Sequence, residues 1–111
     1  MTARNALMMA PPYPVEQAIK RLGANLRTAR LRRNLTIADV AQKIGTGPRA
    51  VSDAENGKGS TGIVAYVALL WAYDLLGPLE QVADPAQDEE GQALARERIR
   101  ASATEKLDSD F

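Results

Sequence analysis

The chain has no cysteine and no histidine, and its 111 residues include only one tryptophan, one phenylalanine and three tyrosines. The absence of cysteine excludes disulfide bonds, thiolate nucleophiles and zinc sites of the common kinds. The absence of histidine removes the imidazole group that most acid–base catalysis uses. Metal-dependent or hydrolytic chemistry would therefore rest on carboxylates alone. We expect no enzyme activity, no catalytic residue, no cofactor and no bound metal.

Long hydrophobic runs near the N-terminus are also missing. Residues 1–14 contain three prolines and one five-residue apolar run, Ala6–Ala10, which is too short for a signal-peptide core or a membrane span. We expect this segment to be a disordered arm of a cytoplasmic protein with no membrane partner. The remaining residues suffice for one small domain, 15–84, and a charged tail, 85–111. A core of that size is marginal alone, which favours a homodimer.

Charge is distributed unevenly, although the net charge is zero. Residues 20–58 contain nine basic and three acidic side chains, which gives that segment a net charge of +6. Residues 74–90 contain six acidic and no basic side chains, a net charge of −6. The asymmetry indicates one surface suited to a polyanion and another that faces away from it or toward a basic partner.

The middle of the chain predicts two short helices joined by a tight turn. Thr36 with Asp39 three residues later is typical of a capping box at a helix start. Gly45 lets the chain leave the first helix with a positive φ, and Gly47 with Pro48 starts the second. The inward positions have helical spacing: Ile37, Val40, Ala41 and Ile44 in the first helix, and Val51 and Ala54 in the second. This arrangement is a helix-turn-helix.

Roughly residues 20–76 resemble the XRE/Cro family of bacterial and phage regulators. The resemblance rests on Val40, Ala41, Ile44, Gly45, Val51, Ala54 and the closing Glu55-Asn56-Gly57-Lys58. It implies an all-α, five-helix lambda-repressor-like domain that reads double-stranded operator DNA with its second helix. The resemblance places the base-reading role on Pro48, Arg49 and Asp53. Pro48 offers no donor and Asp53 repels phosphate unless it accepts from a cytosine amino group, so Arg49, whose planar fork suits guanine, is the main candidate. The residues expected at the DNA are Thr36, Lys43, Thr46, Gly47, Pro48, Arg49, Ser52, Asp53, Asn56 and Lys58.

A helical period of apolar residues predicts a first helix from about Val15 to Arg33. Three arginines crowd its end: Arg30, Arg32 and Arg33. We expect these arginines to contact DNA phosphate. The alternative is that they only solvate the helix face and interact favourably with the C-terminal helix dipole.

A fourth helix is predicted from Thr61 or Gly62 to about Asp74; it is apolar on nearly every side but too short to span a bilayer. Its second apolar face needs a protein cover, most simply another copy of the chain. We expect Ile63, Val67 and Leu70 in the domain core, and Val64, Trp71 and Leu75 at a dimer interface. An ordinary core position is the alternative for Trp71. A short fifth helix or turn is predicted at Leu79–Val82.

The region after this helix resembles HipB-like antitoxins. The resemblance rests on the spaced residues Ala83, Asp84, Pro85, Asp88, Gly91, Ala93 and Leu94. It implies a dimeric repressor of its own operon that also neutralises a HipA-like kinase toxin. The apolar line of the tail, Ala95, Ile99, Ala103 and Leu107, is too narrow to fold alone. We therefore expect a mobile tail that orders on a partner, with a plain solubilising tail as the alternative.

Two other functions stay open at this stage. One is a stand-alone XRE-type transcriptional regulator without a toxin. The other is a protein-binding module that kept the helix-turn-helix scaffold but no longer reads DNA sequence, which Ile37, Pro48 and Asp53 would favour.

Overall fold

The structure is a computed structural model that describes residues 5–109. Within that range the chain forms seven α-helices, one short 3-10 helix and no strand, which confirms the predicted all-α helix-turn-helix fold. Residues 1–4 of the predicted arm and 110–111 of the predicted tail lie outside the described part. The α-helices are α1 (Ala6–Met9), α2 (Tyr13–Arg32), α3 (Ile37–Ile44), α4 (Pro48–Glu55), α5 (Ile63–Ala72), α6 (Gly77–Glu80) and α7 (Glu89–Ser109). The 3-10 helix, Pro85–Gln87, precedes α7.

The described chain divides into two compact units, with the boundary between Leu76 and Gly77. The first unit contains α1 to α5, and the second contains α6, the 3-10 helix and α7. The predicted boundary between domain and tail lies further along the chain, at residues 84 and 85, so α6 groups with the tail segment in the structure. None of the described helices is both long enough and apolar enough to cross a membrane.

Proline sets the start of α2. Pro14 occupies the first turn, where a missing N–H costs no hydrogen bond, and the helix begins at Tyr13, slightly earlier than predicted. The arm before it is partly helical, because α1 forms a single turn. The Asn5 side chain caps this turn by accepting a hydrogen bond from the Leu7 N–H at 3.1 Å.

The predicted capping box and turn are confirmed. The Asp39 N–H donates to the Thr36 hydroxyl, and the Thr36 N–H donates to the Asp39 carboxylate, both at 3.0 Å. The bond from the Thr36 backbone, together with the Thr36 hydroxyl, holds the pKa of Asp39 below its usual value. Gly45 ends α3 in the left-handed conformation with a φ of 82°, and Pro48 is the first residue of α4. Three residues, 45–47, therefore form the turn.

The first unit has one hydrophobic core to which α2, α3, α4 and α5 all contribute. α4 packs against each of the other three helices, and α3 also packs against α5. The buried apolar side chains are Leu26, Ala29, Val40, Ala41, Val51, Ala54, Tyr66, Leu69 and Tyr73. The inward positions predicted for the helix-turn-helix are confirmed, since four are buried and Ile37 and Ile44 pack partly buried against them.

The predicted core face of α5 is wrong at Ile63, which is 72% exposed. The buried positions of this segment are Tyr66, Leu69 and Tyr73, which are three and four residues apart on one helical face. Val67 and Leu70 are only partly buried. Nearly every residue of α5 is apolar, so the hydrophobic pattern could not select which face turns inward.

Two glycines let the end of α4 approach α2 closely. A Cβ at Gly23 would collide with the Ala54 carbonyl oxygen and lie 2.7 Å from the Glu55 carbonyl oxygen. Gly57 has a φ of 67°, and a Cβ there would lie 2.7 Å from the Lys20 Cα. The obstructing atoms belong to the backbone and cannot move aside cheaply, so both positions favour glycine.

The tail expected to order only on a partner is helical in the structure from Glu89 to Ser109. Hydrogen bonds between neighbouring polar groups stabilise the start of α7. The Gly91 N–H donates to Asp88 Oδ1 at 2.9 Å, and the Gln92 amide donates to the carbonyls of Pro85 and Ala86 at 2.9 and 3.0 Å. Bonds of this kind satisfy the free backbone groups next to a helix start. The narrow apolar line gave no sign of this cap.

Candidate nucleic-acid interface

α4 has two opposite faces. Its inner face consists of Val51, Ala54 and Glu55, all buried. Its outer face consists of Arg49, Ser52, Asp53 and Asn56, whose spacing of three and four residues places them on one side of the helix. Arg49 and Asn56 are exposed, and Ser52 and Asp53 are half-buried. The outer face is therefore the part of α4 that a ligand can reach.

The start of α4 is open. Thr46, Gly47 and Pro48 are exposed, and no side chain caps the helix N-terminus. Pro48 has no backbone N–H, so the first hydrogen-bond donors of a side chain at this end of the helix are those of Arg49. Among residues 5–109, no hydrogen bond or ion pair engages the Arg49 guanidinium. All five of its N–H donors are free to meet a ligand.

Asp53 and Lys58, both predicted at the DNA, form a pair in the structure. Lys58 Nζ lies 3.3 Å from Asp53 Oδ1. The left-handed Gly57 turns the chain back, and the Lys58 N–H donates to the Asp53 carbonyl at 3.1 Å. This is the usual way in which a glycine closes a helix C-terminus.

Two other predicted DNA contacts are engaged within the protein. The Thr36 hydroxyl accepts from the Asp39 N–H at 3.0 Å in the capping box. Lys43 Nζ donates to the Ala72 carbonyl at 3.3 Å, at the C-terminal end of α5. Both residues are exposed, so a contact with DNA phosphate would share or replace these bonds.

The prediction that Arg30 contacts phosphate is wrong, because Arg30 is only 7% exposed. Its Nε and Nη2 donate to the two carboxylate oxygens of Glu55 at 2.7 and 3.0 Å, and its Nη1 donates to the Leu35 carbonyl at 2.9 Å. The hydrogen bond with Glu55 is the main reason why the pKa of Arg30 is raised. This bidentate pair joins α2 to the last residue of α4.

Arg33 also forms hydrogen bonds within the protein. It donates to the carbonyls of Ala29 and Tyr73, both at 2.9 Å, and its guanidinium carbon lies 5.5 Å from the centre of the Tyr73 ring. Burial raises the pKa of Tyr73, and the nearby Glu55 carboxylate raises it further. Arg32 is the only one of the three arginines that is exposed without a partner among the described residues.

Sequence reasoning missed the role of Glu55. It placed this residue only in the closing motif of the second helix. One signal was available, since Glu55 follows Val51 by four residues and so falls on the inner face of α4. A carboxylate on a buried face requires a cationic partner. Which of the nine basic residues of segment 20–58 supplies it could not be read from the sequence.

The residues predicted at a dimer interface divide between two places. Trp71 is 59% exposed, which excludes an ordinary core position. It lies with Val64 in an apolar groove of about 480 Å³, whose other lining residues are Ile63, Val67, Ala68 and Leu76. Leu75 instead lines a more polar cleft formed with α2. Leu76, and not Leu75, therefore extends the apolar surface of α5.

Comparison with known proteins identifies a helix-turn-helix domain. A family model with that description matches residues 21–83, more than half of the 111 residues. No curated protein and no solved structure matches the chain. Helix-turn-helix domains are typical of DNA-binding regulators that are not enzymes. The match supports the XRE-like part of the predicted resemblance, whereas the antitoxin part stays a prediction.

Replacing Arg30 with methionine tests the internal pair. We expect Arg30→Met to lower the free energy of unfolding by about 3–5 kcal/mol, because it leaves the Glu55 carboxylate buried without a partner. Replacing both residues, Arg30→Met with Glu55→Leu, should cost less than the single change. Urea unfolding followed by circular dichroism measures both. Arg32→Met is the matched control and should change stability by no more than about 0.5 kcal/mol. Equal losses for Arg30→Met and Arg32→Met would contradict the assignment.

Proposed function

This chain belongs to the helix-turn-helix domain family, and we propose that it is a dimeric, DNA-binding transcriptional repressor that acts as the antitoxin of a HipBA-like pair. The observation that carries the proposal is the outer face of α4. Arg49 is exposed and free at the start of a helix whose other end is held by the buried Arg30–Glu55 pair. A fixed helix with a free cationic side chain suits the reading of base edges.

In the proposed complex α4 lies in the major groove, which is about 12 Å wide and admits a helix. Arg49 donates two hydrogen bonds to O6 and N7 of a guanine. Gly47 has no side chain and Pro48 has only a compact ring, so the helix start can approach the DNA closely. The Thr46 and Ser52 hydroxyls and the Asn56 amide then contact phosphate or neighbouring bases.

Electrostatics support a polyanionic partner for the first unit. Segment 20–58 has a net charge of +6, and the internal Arg30–Glu55 pair removes one charge of each sign without changing that sum. Lysine and arginine side chains that neutralise phosphates release counterions, and this release supplies much of the affinity for DNA. Binding should therefore weaken steeply as the salt concentration rises.

The proposed dimer forms through α5. Its groove is lined by apolar side chains alone, with Trp71 exposed to solvent in the isolated chain. We assign a second copy of the chain as the occupant. A palindromic operator offers two half-sites about 34 Å apart, and reading both takes two recognition helices related by a twofold axis. Occupation of such an operator would exclude RNA polymerase from the promoter.

The proposed toxin contact lies in the second unit. Ile99 and Leu107 are exposed on one side of α7. These apolar side chains, with the five acidic and no basic residues of segment 77–90, offer a surface for a kinase of the HipA-like class. A stand-alone regulator would share every feature of the first unit, so the second unit decides between the two functions.

Arg49→Ala tests base reading. We expect this variant to bind its operator about 1–3 kcal/mol more weakly and random duplex DNA almost as well as the unaltered protein, because a base contact is lost. Fluorescence anisotropy at two salt concentrations measures both affinities, with Arg96→Ala in α7 as the control. An equal loss on both DNAs would assign Arg49 to phosphate. No salt-dependent binding by the unaltered chain would favour the protein-binding module.

Val64→Glu tests the dimer. A buried, unpaired carboxylate at a twofold interface should convert the dimer to a monomer and weaken operator binding. Sedimentation equilibrium at micromolar concentration measures the mass. Leu31→Glu is the control, because Leu31 is also exposed but lies outside the groove. A monomeric unaltered chain, or a Val64→Glu variant that stays dimeric, would refute the interface.

Ile99→Glu tests the antitoxin role. A gene for a HipA-like kinase should lie beside the gene for this chain, and the two proteins should co-purify when expressed together. Ile99→Glu should reduce co-purification while leaving operator affinity unchanged, because the altered residue lies in the second unit. If the kinase and the chain do not associate, the stand-alone regulator is the correct function.

A further inference from the structure

Asp53 places a negative charge on the face of α4 that is proposed to meet DNA. Its side chain is 29% exposed, so a ligand can reach it. Lys58 Nζ lies 3.3 Å from Oδ1, whereas Oδ2 has no partner among the described residues. A carboxylate next to phosphates is unfavourable unless a cation offsets its charge.

Lys58 is held beside Asp53 by its own backbone. Its N–H donates to the Asp53 carbonyl at 3.1 Å, and its carbonyl accepts from the Thr61 N–H at 3.1 Å and from the Tyr66 hydroxyl at 3.2 Å. Tyr66 is a buried residue of α5. These three bonds connect Lys58 to α4 on one side and to the core on the other. Its side chain therefore starts from a fixed point next to the carboxylate.

We infer that Lys58 is a positioning residue for base reading by Asp53. The ammonium group holds Oδ1 and leaves Oδ2 available to accept a hydrogen bond from the exocyclic amino group of a cytosine in the major groove. This inference rests on the proposed function, because it needs α4 to lie in that groove.

The chemistry of the pair fits such a role. A carboxylate is an acceptor only, and the cytosine N4 amino group is the donor that aspartate side chains select. The Asp53–Lys58 pair has no net charge, so Lys58 offsets the repulsion between the Asp53 carboxylate and the phosphates. An ammonium group has three donors, and one suffices to hold Asp53. An ordinary phosphate contact by Lys58 would strengthen binding to every sequence alike and would favour no base.

The test measures discrimination at single base pairs. The unaltered chain first selects its site from a duplex library of randomised sequence. Anisotropy then gives the Kd for the selected duplex and for each single-base-pair variant of it. Asp53→Asn identifies the base pair that Asp53 reads. Lys58→Met removes the ammonium group, and Lys58→Arg retains a cation. Lys20→Met is the matched control, because Lys20 pairs with Glu16 and its side chain is 53% exposed against 51% for Lys58.

The unaltered chain should prefer cytosine at the Asp53 position by about tenfold or more. Lys58→Met should reduce that preference to about threefold or less, while the preference at the Arg49 position stays unchanged. Lys58→Arg should restore most of the lost discrimination, and Lys20→Met should alter neither preference. Thermal unfolding of each variant checks that the fold persists. We expect little change, because an ion pair at the protein surface contributes little stability.

Two results would overturn the inference. Lys58→Met could weaken binding to all duplexes by one common factor, which would make Lys58 a phosphate contact only. Asp53→Asn could leave every base preference unchanged, which would remove Asp53 from base reading. If the unaltered chain selects no site at all, the proposed function fails before any variant is tested. The failure of the inference and that of the proposed function are thus distinguishable.

Discussion

The buried pair of Arg30 and Glu55 fixes the position of α4, on which the other features of the proposed interface depend. Transfer of two charges from water into a protein interior is unfavourable, and only a close, bidentate geometry offsets that cost. Glu55 is the last residue of α4, so the pair holds this end of the helix against α2. Gly23 and Gly57 permit the approach because neither adds a Cβ between the two backbones. A helix held in this way presents its outer face in one orientation.

Positive charge serves two purposes in the first unit. Arg33 and Lys43 donate to the carbonyls of Tyr73 and Ala72 at the end of α5, where cations interact favourably with the helix dipole. Together with Arg30 they connect α2, α3, α4 and α5. The Arg49 side chain forms no hydrogen bond or ion pair with the described residues, so it is free at the start of α4. Several basic side chains of segment 20–58 are therefore bonded within the protein. Fewer of them are available to contact DNA than the net charge of +6 suggests.

Local features of the helix-turn-helix could be predicted from the sequence. The Thr36–Asp39 cap, the left-handed Gly45 and the inward Val51 each depend on residues within one or two helical turns. The Arg30–Glu55 pair could not be predicted, because its members lie 25 positions apart and several other arginines were available. The buried face of α5 was also undetermined, since Ile63 is as apolar as the residues that form the core. For α7, polar bonds at Asp88 and Gln92 start a helix whose apolar line is too narrow to have predicted folding without a partner.

The central claim is that the outer face of α4 contacts DNA while the inner face stays packed. Titration of the 15N-labelled chain with a selected operator duplex, followed by NMR, tests this most directly. The account predicts that the largest amide shifts and the greatest protection fall between Thr46 and Lys58, with the buried Leu26 and Leu69 amides unchanged. Shifts confined to α7, with no change in α4, would contradict it.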